Sequence, residues 1–205
     1  MERWGLPGHF RVDNGYPFGS TGDWPPVLSL WLIGLGVGVT WNPPRQPWNN
    51  GVVERSQGTA KRWAEPNSCL TPGQLQSELD RADELQREGY PYRAGRSRAE
   101  CWPGLGHSGR PYLAAGERRI WSLDPVREHL GGYARRRRVD QSGKVSLYDR
   151  LRYVGVAQAG REVVVQFDPE RLEWIFSDLS GTQLRARPAE EMTAEQICGL
   201  WGQSE

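Results

Sequence analysis

Asp13 and Glu54 are the residues whose types and surroundings in this sequence could carry chemistry. Asp13 ends the short β-capable run Phe10-Arg11-Val12-Asp13 and is followed by Asn14-Gly15, a turn signal. Glu54 follows Asn50-Gly51-Val52-Val53 and falls in the first turn of a predicted helix, with Asn50-Gly51 as the turn that presents it. Two carboxylates brought together from a strand end and a helix start can hold a hard cation. Mg²⁺ takes one or two carboxylates plus substrate phosphates. Two such ions activate the attacking oxygen and stabilise the leaving oxygen of an in-line displacement at phosphorus. Lys61 lies seven residues beyond Glu54, two helical turns along the same face, where an ammonium can meet a DNA phosphate. Singly, each feature is ordinary: Asp-Asn-Gly is a common turn and a lone helical Glu is usually solvated. Their order is informative. No other nucleophile or metal set competes, since His9, His107 and His129 lie far apart and no Cys/His pair has zinc spacing.

The elements that must position these residues follow from the pattern. Asp23 reads as a cap for an apolar helix over Val27–Ile33, with Gly34 near its end, and residues 36–41 (GVGVTW) read as a buried strand. A proline-rich loop, 42–47, leads to a helix from Val52 to about Ala64. Thr71-Pro72 opens the clearest helix, with Leu75, Leu79, Ala82 and Leu85 on one face. A further helix is expected from Val126 to about Arg136. Beyond Gly143 the period changes to that of strands. Five runs, 145–148, 152–154, 162–167, 172–176 and 183–186, predict a small antiparallel barrel with Trp174 and Val164 buried. Residues from Thr193 to Trp201 close the chain as a short helix. The expected division is 1–66, the C-terminal part of an α/β core; 67–142, a helical and basic linker region; 143–188, the barrel; and 189–205, the final helix.

The 205 residues carry 26 basic and 25 acidic groups, so total charge names no partner. Its distribution does: Arg93 to Arg138 holds eleven arginines against four acids, a basic stretch that suggests a polyanion. Arg135, Arg136, Arg137 and Arg138 are the strongest phosphate-contact candidates outside the core, with a solvated linker as the rival reading. Cys69, Cys101 and Cys198 are odd in number and far apart, which excludes a disulfide scaffold and points to reduced thiols. The longest apolar run, Val27 to Val39, is thirteen residues and is broken by three glycines. A membrane span needs roughly 18. A soluble cytoplasmic protein with no membrane partner is expected.

The order strand–DNG, apolar helix, GVGVTW strand, proline loop, NGxxE and Lys at +7 resembles the integrase core of bacterial DDE transposases and retroviral integrases. The matching segments are 10–18 (FRVDNGYPF), 28–55 (LSLWLIGLGVGVTWNPPRQPWNNGVVER) and Lys61. Downstream, GYARRRRVDQSGKVSLYDRLRYVG and VVVQFDPERLEWIFSDLSG look like the C-terminal region of such transposases, where a small SH3-like barrel helps hold DNA. The resemblance implies an α/β fold: a partial RNase H-like core followed by a small all-β SH3-like barrel. It makes Asp13 and Glu54 the second and third catalytic and metal-binding carboxylates, with Mg²⁺ or Mn²⁺ as cofactor. Asn14, Gly15, Asn50 and Gly51 become turn formers, and DNA becomes the partner, with this chain or a full-length transposase as a possible oligomeric mate.

The family also uses a first Asp on an earlier strand, and only twelve residues precede Asp13. The resemblance therefore implies a truncated DDE polynucleotidyl transferase, inactive as this chain alone. Two other readings stand beside it: a DNA-binding or regulatory fragment that binds DNA or the full-length enzyme without catalysis, and a remnant without function.

Overall fold

The computed structural model describes residues 1–19, 25–43, 46–148 and 150–198. Asp23 and Trp201 lie outside them. In chain order the regular elements are β1 (His9–Val12), α1 (Val27–Gly34), β2 (Gly38–Trp41), α2 (Gly51–Ala64), α3 (Pro72–Glu84), α4 (Arg98–Cys101), α5 (Glu117–Ile120) and α6 (Asp124–Gly131). There follow β3 (Ala134–Arg138), β4 (Lys144–Leu147), β5 (Arg150–Tyr153), β6 (Glu162–Asp168), β7 (Glu173–Ser177), β8 (Gln183–Pro188) and α7 (Ala194–Cys198). The fold is mixed α/β. It forms two compact units: a helical unit of residues 1–8 and 42–114, and a mixed unit of residues 9–41 and 115–205. These bounds differ from the expected breaks at 66 and 142. The reason lies in α1, which packs on α6 and α7 and so ties 9–41 to the C-terminal part of the chain.

In the helical unit, α2 packs against α3. Thr71 caps α3, its hydroxyl accepting the Gln74 N–H at 3.2 Å, and Pro72 occupies the first helical turn, where no donor is missed. Leu75 and Leu79 are half-buried and Ala82 is buried. Leu85 departs from the expected apolar stripe. It opens a π-helical turn, Leu85–Gly89, and is exposed. Residues 1–8 are laced to 108–114: Leu6 N–H donates to the Arg110 carbonyl at 2.8 Å and the Arg110 guanidinium to the Pro7 carbonyl at 2.9 Å. Gly5 permits this approach. Its φ is +76° and a Cβ would sit 2.5 Å from the Arg110 carbonyl.

In the mixed unit, β1 and β2 pair in parallel, His9 opposite Gly38 and Val12 opposite Trp41, with α1 as the crossover between them. This is a βαβ unit. His9 opens β1, and its Nε2 is 2.7 Å from the Thr40 hydroxyl. Trp31 and Trp121 stack with centroids 5.6 Å apart, and Trp31 Nε1 donates to Glu117 at 2.6 Å. Gly34 does more than end α1: a Cβ there would lie 2.1 Å from the Trp121 indole nitrogen.

The five expected C-terminal strands all form. The helix predicted to run to Arg136 instead stops at Gly131, and Ala134–Arg138 becomes a sixth strand, antiparallel to β6. Two glycines, 131 and 132, end the helix, and alternating exposure of the arginines suits an edge strand. Four strands make one antiparallel sheet, ordered β3-β6-β7-β8, and β4-β5 is a separate hairpin. The pleat differs by one residue from expectation. Val163 and Val165 are buried and Val164 is only half-buried. Three consecutive valines leave the phase open, and Phe167, pairing with buried Trp174 across β6–β7, fixes it.

Candidate functional site

Asp13 lies just past the carboxyl end of β1, the position where open α/β sheets present ligand-binding groups. Its side chain is exposed. One oxygen accepts the Gly15 N–H at 3.1 Å, an Asx-type turn that lets the chain leave the strand. Phe18 N–H and Gly19 N–H then both donate to the Gly15 carbonyl, at 3.0 and 2.8 Å. Asn14 and Gly15 thus take part in the expected turn.

Glu54 sits in the first turn of α2, where the helix dipole favours a carboxylate. The route to it differs from the predicted open turn at Asn50-Gly51. A 3₁₀ turn, Pro47–Asn50, runs directly into α2, and both Asn50 and Gly51 have right-handed helical angles. Asn50 does not cap α2. Its side-chain oxygen accepts instead from buried Asn42, at 2.5 Å, which fixes the entry to the helix. Val52 through Gly58 are exposed, so Glu54 stands on an open face. Lys61 is exposed two turns further along and lines a shallow groove of about 370 Å³ with Gly58, Arg62 and Asn67.

Asp13 belongs to the mixed unit and Glu54 and Lys61 to the helical unit. Among the described residues no group of three or more His, Cys, Asp or Glu side chains could hold a metal ion. The donor chemistry of each carboxylate suits Mg²⁺ or Mn²⁺, which take carboxylate oxygen.

Arg135–Arg138 form β3 rather than a linker. Arg136 and Arg138 are exposed, while Arg135 and Arg137 are half-buried on the opposite face. Arg138 stands opposite Glu162 and Arg136 opposite Val164. Two of the four cations are therefore presented to solvent from a fixed strand.

The basic stretch that begins at Arg93 also carries aromatic residues that the charge pattern alone does not mark. There Tyr92 and Trp102 pair at 4.9 Å with the Arg98 guanidinium over the Tyr92 ring at 4.9 Å. The available signal was the interleaving of Tyr90, Tyr92 and Trp102 with Arg93, Arg96 and Arg98. The mixed unit holds a buried cluster that no local pattern marks. Glu191 accepts from Trp174 Nε1 at 2.7 Å and from Arg152, and all three side chains are buried. No known protein-family profile matches the chain.

Proposed function

We propose that this chain is a DDE transposase- or integrase-like protein associated with DNA integration. In this reading the βαβ unit and α2 correspond to part of an RNase H-like core, and β3–β8 to an SH3-like barrel. The observation that supports it is the parallel β1–α1–β2 unit delivering Asp13 just past the carboxyl end of its first strand. Glu54, in the first turn of the helix that follows β2, is the third family carboxylate. Mg²⁺ or Mn²⁺ is the cofactor of the intact reaction, and this chain supplies two of its three carboxylates. It therefore does not join DNA ends by itself. Purified chain incubated with Mg²⁺, labelled donor ends and a target plasmid tests this: no joined product is expected, and Mg²⁺-dependent joining would overturn it.

A second reading, a fragment that binds DNA or a full-length transposase without catalysis, is favoured by the exposed Arg136 and Arg138 on β3. Salt-dependent binding of duplex DNA without cleavage supports it.

A further inference from the structure

Tyr92 and Trp102 are tilted against each other with centroids 4.9 Å apart, yet each keeps 45% of its surface exposed. An aromatic pair serving only as core would be covered. The arrangement around them is fixed. Tyr92 N–H donates to the Arg96 carbonyl at 2.8 Å. Between them Ala94 and Gly95 both have positive φ, 50° and 77°, the sign pattern of a type I′ turn. The turn sets Arg93 and Arg96 opposite each other at its base.

On the other side, Ser97 and Glu100 form a capping box that starts α4 and carries Trp102 back to Tyr92. Arg98, whose Nη1 donates to the Gln86 carbonyl at 2.8 Å, covers one face of Tyr92.

The charge around the pair is one-sided. Residues 90–110 hold four arginines and one acid, Glu100. The Glu100 carboxylate accepts the Ser97 N–H at 2.6 Å, and that bond, with the Ser97 hydroxyl, holds its carboxyl below the usual range. Arg93 and Arg96 are exposed; Arg93 makes no ion pair among the described residues, and the Arg96 guanidinium donates to the Glu100 carbonyl at 2.7 Å, its charge also helping to lower the Glu100 carboxyl. Half-open aromatic rings beside exposed guanidinium groups are the two components of a single-strand site: bases stack on the rings and phosphates meet the cations.

We infer that Tyr92, Trp102, Arg93 and Arg96 form a site for an unpaired base and its flanking phosphates on a single-stranded nucleic acid. A duplex keeps its base faces stacked and engages only the arginines. An acidic peptide likewise offers nothing to the rings. The site uses neither Asp13 nor Glu54, so it goes beyond the integration reading and can fail while that reading stands.

The test is fluorescence anisotropy with the full chain, a labelled single strand of about twenty thymidines and a duplex of the same length. The single strand is expected to bind the more tightly. Trp102→Leu is expected to weaken single-strand binding by about tenfold, the scale of one lost stacking contact, and to leave duplex binding unchanged. Arg93→Glu, at an exposed position without an ion pair, is expected to weaken binding of both and to reduce the salt dependence. Equal binding of single strand and duplex would overturn the proposal. So would displacement of the bound strand by polyglutamate as readily as by unlabelled strand. If Trp102→Leu fails to fold, unchanged single-strand affinity in Arg93→Glu overturns it instead.

Discussion

Glu191 shows how much one side chain organises in the mixed unit. Its buried carboxylate accepts from Arg152 and from Trp174, which ties the segment after β8 to β5 and β7. Arg127 adds a second tie, donating from Nη2 to the Met192 carbonyl at 2.8 Å. Removing one partner of a buried ion pair leaves an uncompensated charge and costs about 3–5 kcal/mol. Glu191→Ala is therefore expected to destabilise the mixed unit by that amount in urea unfolding, and Trp174→Phe, which removes one hydrogen bond, by about 1–3 kcal/mol.

His129 carries a pH signature at the same scale. Its ring packs on Tyr133 at 5.0 Å and Trp41 at 5.9 Å, and burial lowers its pKa from the ordinary imidazole value. The unfolded chain thus takes up a proton at a higher pH than the folded one. Stability is unaffected above the ordinary value and falls as pH drops below it toward the folded value. Thermal unfolding followed between about pH 7 and pH 5 checks this, and His129→Phe is expected to flatten the dependence.

Asp140 has the sign of a stabilising carboxylate. Bonds from Lys144 N–H, the Ser142 hydroxyl and Ser142 N–H hold its pKa below the usual value. Its contribution is full above the unfolded pKa and is lost as pH falls through the folded one.

At the scale of elements, β6 gives the sharpest check on packing. Val165→Asp places a charge at a buried position and is expected to destabilise by several kcal/mol. Val164→Asp, on the half-buried face, is expected to do far less, and denaturant midpoints for the two variants separate the alternatives. Gly34→Ala forces a Cβ into the Trp121 indole and is expected to destabilise by about 1–3 kcal/mol through overpacking.

These elements also show what the residues disclosed in advance. The helices over 27–34, 51–64 and 72–84 and the five C-terminal strands were legible because periodicity, prolines and glycines marked them. The phase of β6 was not, because Val163-Val164-Val165 looks alike on both faces. Nor was β5, where Leu151 is exposed and Arg152 buried: pairing of Arg152 with buried Val145 overrides hydropathy, and Glu191, thirty-nine residues away, supplies the partner. Strand β3 was hidden because four arginines resemble a solvated linker until β6 pairs with them. For the candidate site, the local placements of Asp13 and Glu54 were legible from turn and helix signals. That the two belong to different compact units depends on contacts far apart in sequence, which no local pattern carries.

For the whole molecule, the balance of 26 cations and 25 anions conceals a strong separation of charge. The stretch from Arg93 to Arg138 contributes exposed guanidinium groups in the helical unit at Arg93 and Arg96 and in the mixed unit at Arg136 and Arg138. Among the described residues no helix is long and apolar enough to cross a membrane. These features bear on the proposed integration-related chain and on its alternative, a fragment that binds DNA without catalysis. The most direct test is one reaction series: the purified chain, Mg²⁺, a labelled duplex and a target plasmid across a range of salt concentrations, resolved on a native gel and then on a denaturing one. The account predicts retention of the duplex that weakens steeply as salt rises, with no strand joined to the plasmid. A duplex that runs free at low salt, or a joined product, would contradict it.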